Sequence, residues 1–136
     1  KSMENIILKY VFIPLSCAFF LFSAATDSIG AERITAQELK AMIDAKENVV
    51  LIDVRTPQEH KEAHIPGSIL MPLDTLGSVD KLPGNGKHII YCRSGKRSLT
   101  AIDILSAKGF KNLTDLKGGI IAWTTIGGPV VSGQSR

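Results

Sequence analysis

Cys92 is followed by Arg93, Ser94, Gly95, Lys96, Arg97 and Ser98, so three cations and a glycine fall within five positions of a thiol. A thiol attacks well only as its thiolate, and nearby cations, peptide N–H groups and a helix N-terminus all favour that form. The segment sits between an aliphatic run, His88-Ile89-Ile90-Tyr91, and a stretch with Leu99, Ile102 and Leu105 on one helical face. That is a strand-to-helix junction. A loop placed there turns several peptide N–H groups inward and makes an anion-binding concavity, with the positive end of the following helix behind it. Gly95 suits the tight curve where a side chain would fill the cradle. The plain alternative is a buried structural cysteine beside unrelated surface charges. The density of cations around this one junction favours a nucleophile. The three histidines are scattered and the other cysteine, Cys17, lies in an apolar leader, so no metal-ligand spacing is present and no metal or organic cofactor is expected.

The elements that must hold this loop are legible in the pattern. Thr35 and Glu38 form a capping box ahead of Leu39, Met42 and Ile43, which predicts a helix over 36–45. Asn48 to Val54 is a continuous aliphatic run, as in a strand buried on both faces of a parallel sheet. Thr56 and Glu59 repeat the capping box with Pro57 at the first helical position, opening a short helix to about Ala63. A short strand over 68–71, a short helix and a Pro-Gly-Asn-Gly turn within 72–86, and a second strong strand over 88–92 follow. A helix over 98–108 is stopped by Gly109, a last strand covers 112–116, and Gly118-Gly119 leads a helix through Trp123. Strands alternating with helices predict an α/β domain around a mainly parallel sheet. In such sheets the working residues lie beyond the carboxyl ends of strands, where both Asp53 and Cys92 fall.

The chain has 136 residues, enough for one ordinary domain. The expected organisation is a leader over 1–31, a domain over 32–127 and a flexible tail over 128–136. The leader has an uncharged apolar stretch from Tyr10 to Ala25 followed by small residues, the layout of a secretory signal peptide. Lys1-Ser2 are read as preceding the natural start at Met3. If uncleaved, residues 6–25 would serve as a membrane anchor despite Lys9 and Pro14, and would be the only membrane contact. Either way the domain is expected outside the cytoplasm, in a periplasmic or similar compartment. Residues 1–25 hold Lys1, Lys9 and Glu4, so most of the 16 basic and 13 acidic residues lie in a nearly neutral body. No basic stripe interleaved with aromatics points to nucleic acid. A monomer is the simplest expectation.

Three segments resemble the rhodanese family and cover roughly residues 33–125. Leu51-Ile52-Asp53-Val54-Arg55, with Glu59 and His64-Ile65-Pro66-Gly67-Ser68, is similar to its first signature. Tyr91 to Ser98 is similar to its active-site loop, and Leu116-Lys117-Gly118-Gly119-Ile120-Ile121-Ala122-Trp123 to its closing motif. The resemblance implies the three-layer rhodanese fold, with a mainly parallel central sheet of about five strands flanked by helices, and a sulfurtransferase. Cys92 would accept a sulfane sulfur from a small anionic donor such as thiosulfate or polysulfide. It would pass the sulfur to cyanide, a thiol or a protein. The backbone of 93–97 would cradle the persulfide, Arg97 would fix the loop and its charge, and Arg93 and Lys96 would attract the donor. Asp53, Arg55 and Ser98 would support the loop, the first two structurally. His64 is read as structural rather than as a base, Trp123 as core, and Glu59 and Glu62 as helix-cap and surface charges.

Two other readings use the same fold. Dual-specificity phosphatases of the cell-division-cycle type and related arsenate reductases carry Cys-x5-Arg, whereas here Arg97 stands five positions after Cys92, giving Cys-x4-Arg. A tetrahedral phosphate needs the wider ring of N–H groups, so loop length favours sulfur. Non-catalytic rhodanese-type binding modules usually lack the cysteine, which is present here with its basic loop.

Overall fold

The computed structural model describes residues 30–134. The apolar leader and the readings that depend on it lie almost wholly outside the described residues. Among those residues no helix is long and apolar enough to cross a membrane.

A five-stranded, all-parallel sheet has the order β1 (Glu32–Ile34), β5 (Leu113–Leu116), β4 (Lys87–Tyr91), β2 (Val49–Asp53), β3 (Ile69–Leu70). Side chains alternate across the sheet, and two apolar clusters form as a result. Leu51, Ile89, Tyr91 and Leu116 pack on one face against α1 (Ala36–Asp44) and α4 (Gly119–Thr125). Ile52, Ile90, Cys92 and Leu113 pack on the other against α3 (Lys96–Ala107) and a 3-10 helix (Leu73–Ser78). This is the helix–sheet–helix layering expected of the aliphatic runs, which have no polar face to give to water.

Both capping boxes form. Thr35 and Thr56 each accept the N–H three residues on, and Glu38 and Glu59 reach back to the cap N–H. They start α1 and α2 (Pro57–Glu62) at the expected residues.

Three differences matter. The edge strand β1 was not apparent, because Glu-Arg-Ile is too short to show a period and two of its three residues are exposed. The helix after the loop starts at Lys96, two residues earlier than the apolar pattern predicts, so Lys96 and Arg97 stand in its first turn. Residues 128–134, read from sequence as a flexible tail, carry several ties to the body. Val131 and His64 exchange backbone hydrogen bonds at 2.8 and 2.9 Å, Gly133 N–H donates to Lys61 O at 2.8 Å, and Trp123 Nε1 donates to Pro129 O at 2.8 Å. Polar and small residues gave no period from which those bonds could be foreseen.

Register aligns the carboxyl ends. Asp53 lies opposite Tyr91 across β2–β4, and Ile90 opposite Asp115 across β4–β5. Cys92 therefore leaves the middle of the sheet, with β2 and β5 on either side.

Candidate active site

Cys92 is the first residue beyond β4, and alternation sends its side chain to the α3 face. Its thiol is free and only 1% of the residue is exposed. It lies beneath the loop, buried rather than open to solvent. Gly95 N–H donates to Sγ at 3.1 Å, and Ser98 Oγ lies 3.5 Å away. Burial pushes the thiol up. The Ser98 hydroxyl and the peptide N–H groups of Ser98, Gly95 and Ser94 outweigh that burial and leave it below its ordinary value. The curve of the loop depends on Gly95, which has φ +97° and stands at the N-cap of α3. A Cβ there would lie 3.2 Å from Gly118 N.

No acidic residue stands in the first turn of α3, and two cations do. Positive charge at a helix N-terminus works against the helix dipole unless an anion is nearby. The cations divide by what they touch. Arg93 and Lys96 are exposed, as is Ser94, and neither cation is in an ion pair among the described residues. Arg97 instead makes a bidentate bridge to Glu59, Nη1 to Oε2 at 2.8 Å and Nη2 to Oε1 at 2.7 Å. That bridge holds the Glu59 carboxyl well down, at about 2. Glu59 thus caps α2 and also fastens α2 to the loop, a second duty its cap position did not reveal. A groove beside the loop is walled by Val54, Arg55, Leu73, Arg97 and Ile104.

Asp53 and Arg55 make a separate buried network. Arg55 Nε and Nη2 donate to Asp53 Oδ1 and Oδ2 at 2.9 and 2.7 Å, and Nη2 also donates to Ala63 O. His60 Nδ1 lies 2.8 Å from Asp53 Oδ2, and the Tyr91 hydroxyl donates to the same oxygen at 3.2 Å. Burial and the Asp53 carboxylate push the Tyr91 hydroxyl up to about 12, so it remains a donor. Asp53 shares the face of Tyr91, opposite that of Cys92. No hydrogen bond joins Asp53 or Arg55 to the thiol; they brace the end of β2, where Val54 N–H donates to Tyr91 O at 3.1 Å. His64 stacks on His60 at 3.8 Å and bonds the His60 carbonyl, away from the thiol.

The closing motif holds the loop from behind. Ile120 and Ile121, in the first turn of α4, donate their otherwise unpaired N–H groups to Cys92 O and Arg93 O at 2.9 and 3.2 Å. This needs Gly119, where a Cβ would stand 2.4 Å from Cys92 O and 2.5 Å from Arg93 O.

Two charged residues at the site were missed from sequence. Ser98 Oγ donates to Asp115 Oδ1 at 2.5 Å, and Asp115 Oδ2 accepts Arg33 Nε at 2.8 Å. Asp115 is fully buried, and an acidic residue inside the apolar run Leu113 to Leu116 was a signal, since a buried carboxylate must find partners. Arg33 gave none, because its strand was not visible.

Comparison with known proteins agrees with the fold. The chain belongs to the rhodanese-like domain family, whose model matches residues 35–126. It is 35% identical over 100 residues to a sulfurtransferase of Allochromatium vinosum, covering 73% of this chain and 94% of that protein. It is 35% identical over 95 residues to the putative sulfur carrier protein YrkF of Bacillus subtilis, covering 67% of this chain and 50% of that one. Among solved structures, a thiosulfate sulfurtransferase from Pseudomonas aeruginosa superposes with a TM-score of 0.69 at 28% identity, over 78% of this chain and 21% of that chain. The chain thus spans nearly all of the first relative and about half or less of the other two. Two of these three proteins are named sulfurtransferases, and the third a sulfur carrier.

Proposed function

We propose that this protein moves a sulfane sulfur from a small anionic donor, thiosulfate or polysulfide, to cyanide, a thiol or a protein acceptor, carrying it as a persulfide on Cys92. The observation that carries this reading is a thiol held below its ordinary value by inward peptide N–H groups, with two exposed cations, Arg93 and Lys96, on the same loop. In the first half-reaction the thiolate forms an S–S bond to the outer sulfur of thiosulfate. The bond to the sulfonate sulfur breaks, and its electron pair leaves with sulfite. In the second, the acceptor attacks the outer sulfur of the persulfide and Sγ departs as the thiolate. The inward N–H groups favour negative charge at Sγ in both steps. Neither step requires a metal or an organic cofactor.

The Cys-x4-Arg spacing, with Arg97 tied to Glu59, supports a small cradle over a phosphate-sized one. The apolar leader supports export, or tethering if it is retained, and N-terminal sequencing of protein from its host tests that. The named sulfur carrier relative supports a protein thiol as one acceptor.

Steady-state kinetics with thiosulfate and cyanide test the reaction. The expected pattern is ping-pong, with parallel double-reciprocal lines. Lys96→Glu should raise KM for thiosulfate by about tenfold, through lost attraction and added repulsion, and leave thermal unfolding in place. Turnover of an aryl phosphate, or donor kinetics unchanged in Lys96→Glu, would contradict the reading.

A further inference from the structure

The Ser98 hydroxyl has one proton and two acceptors. Its Oγ stands 2.5 Å from Asp115 Oδ1 and 3.5 Å from Cys92 Sγ. Ser98 and Asp115 are fully buried and Cys92 is 1% exposed, so water does not mediate freely among them. The backbone fixes the arrangement, because Asp115 on β5 is in register with Ile90 on one side and Arg33 on the other. A carboxylate at 2.5 Å outcompetes a sulfur at 3.5 Å for a single hydroxyl proton. The proton is therefore drawn toward Asp115, and Ser98 favours the thiolate by less than an undivided hydroxyl would.

We propose that Asp115 is a positioning residue for Cys92 that acts through Ser98: it withholds the hydroxyl proton from the thiolate, and Arg33, by pairing with Asp115, sets how strongly it does so. The consequence is chemical. A thiolate given fewer hydrogen bonds is the stronger nucleophile toward a donor sulfur, because nucleophilicity falls as thiol acidity rises.

The other charges around Cys92 are accounted for. From α2, Glu59 is bridged to Arg97 of α3, and His60 bonds Asp53. From the end of β2, Asp53 is paired with Arg55. Arg93 and Lys96 on the loop are exposed. Asp115 is the charged group joined to Sγ through one hydroxyl.

The inference rests on Cys92 acting as an ionised nucleophile, as proposed above. Its test is the pH dependence of iodoacetamide alkylation of Cys92 in the full chain. Asp115→Asn removes the competing anion and should lower the midpoint by about half a pH unit or more, roughly a threefold gain in thiolate fraction on the acid side. In a Ser98→Ala background the same substitution should move the midpoint by less than half as much, since the path runs through the hydroxyl. Arg33→Gln, at a half-exposed position on the edge strand, should raise the midpoint, and by less in the Ser98→Ala background, which separates the path through Asp115 from the direct effect of a guanidinium that lies beside Gly95. This surface variant keeps the test open if Asp115→Asn does not fold. An unmoved midpoint in either single variant, an upward shift in Asp115→Asn, or a shift undiminished by Ser98→Ala overturns the proposal. Sulfur uptake by the same proteins separates the two readings. A failed coupling leaves uptake intact with an unmoved profile, whereas failed sulfur transfer leaves a moving profile without uptake.

Discussion

Each charge around the loop is either spent within the protein or open to a substrate, and the difference is testable residue by residue. Arg97 is spent on Glu59 through two hydrogen bonds. The guanidinium holds the Glu59 carboxyl at about 2, so the bridge contributes stability above the ordinary carboxylate range and loses it as pH falls toward that value. The pair is part-exposed, so solvent screening leaves about 1 kcal/mol. Glu59→Gln should therefore be about 1 kcal/mol less stable than the parent in urea unfolding at about pH 6, with the gap closing near pH ~2. A gap that does not change with pH would mean that the bridge contributes nothing through charge. Cys92 is the complementary case. Its thiol lies below the ordinary value, so alkylation should already be fast near neutral pH and should fall on acidification as the thiolate takes up a proton. A reaction midpoint at or above that of a free cysteine would contradict the cradle.

At the scale of elements, the loop is held at both ends by helix termini. α3 begins at its Gly95 end, and α4 presents its first-turn N–H groups to the carbonyls of Cys92 and Arg93. Gly119 of the closing motif acts here, where no side chain fits between α4 and the loop. Gly119→Ala would press a methyl to 2.4 Å from a carbonyl oxygen at positive φ. It should cost about 2 kcal/mol or more in stability. It should also lower turnover beyond any effect of stability, because the displaced backbone belongs to Cys92 itself. Comparing turnover with the folded fraction in the same sample checks this. The capping boxes, the aliphatic strands and the Cys92 loop were legible because each is written in contiguous residues. The Arg97–Glu59 bridge spans two motifs, and the Ser98–Asp115–Arg33 chain spans three elements, so only the parallel register brings their members together. Asp53 shows the same limit in another way. Its position at a strand end was readable, but the face it serves followed only once alternation from Cys92 was fixed.

Across the whole molecule, the sheet sets its active edge by register and closes its far side with the C-terminal stretch. Trp123 is 2% exposed, and Gly128 lies so close to its ring that a Cβ would fall 2.3 Å away. Truncation after Gly127 should uncover that ring and remove its bond to Pro129, along with the Val131–His64 pair. A loss of about 2 kcal/mol or more is expected, lowering Tm by roughly 8 °C or more in a domain of this size, by calorimetry. An unchanged Tm would show that these bonds add nothing to the fold. The central claim concerns one sulfur atom at the middle of the sheet. Intact-mass spectrometry after incubation with thiosulfate tests it most directly. The account predicts a gain of one sulfur on the parent protein, reversed by a reducing thiol and absent in Cys92→Ala. A folded parent that gains none from thiosulfate or polysulfide, or a Cys92→Ala variant that gains it equally, would contradict it.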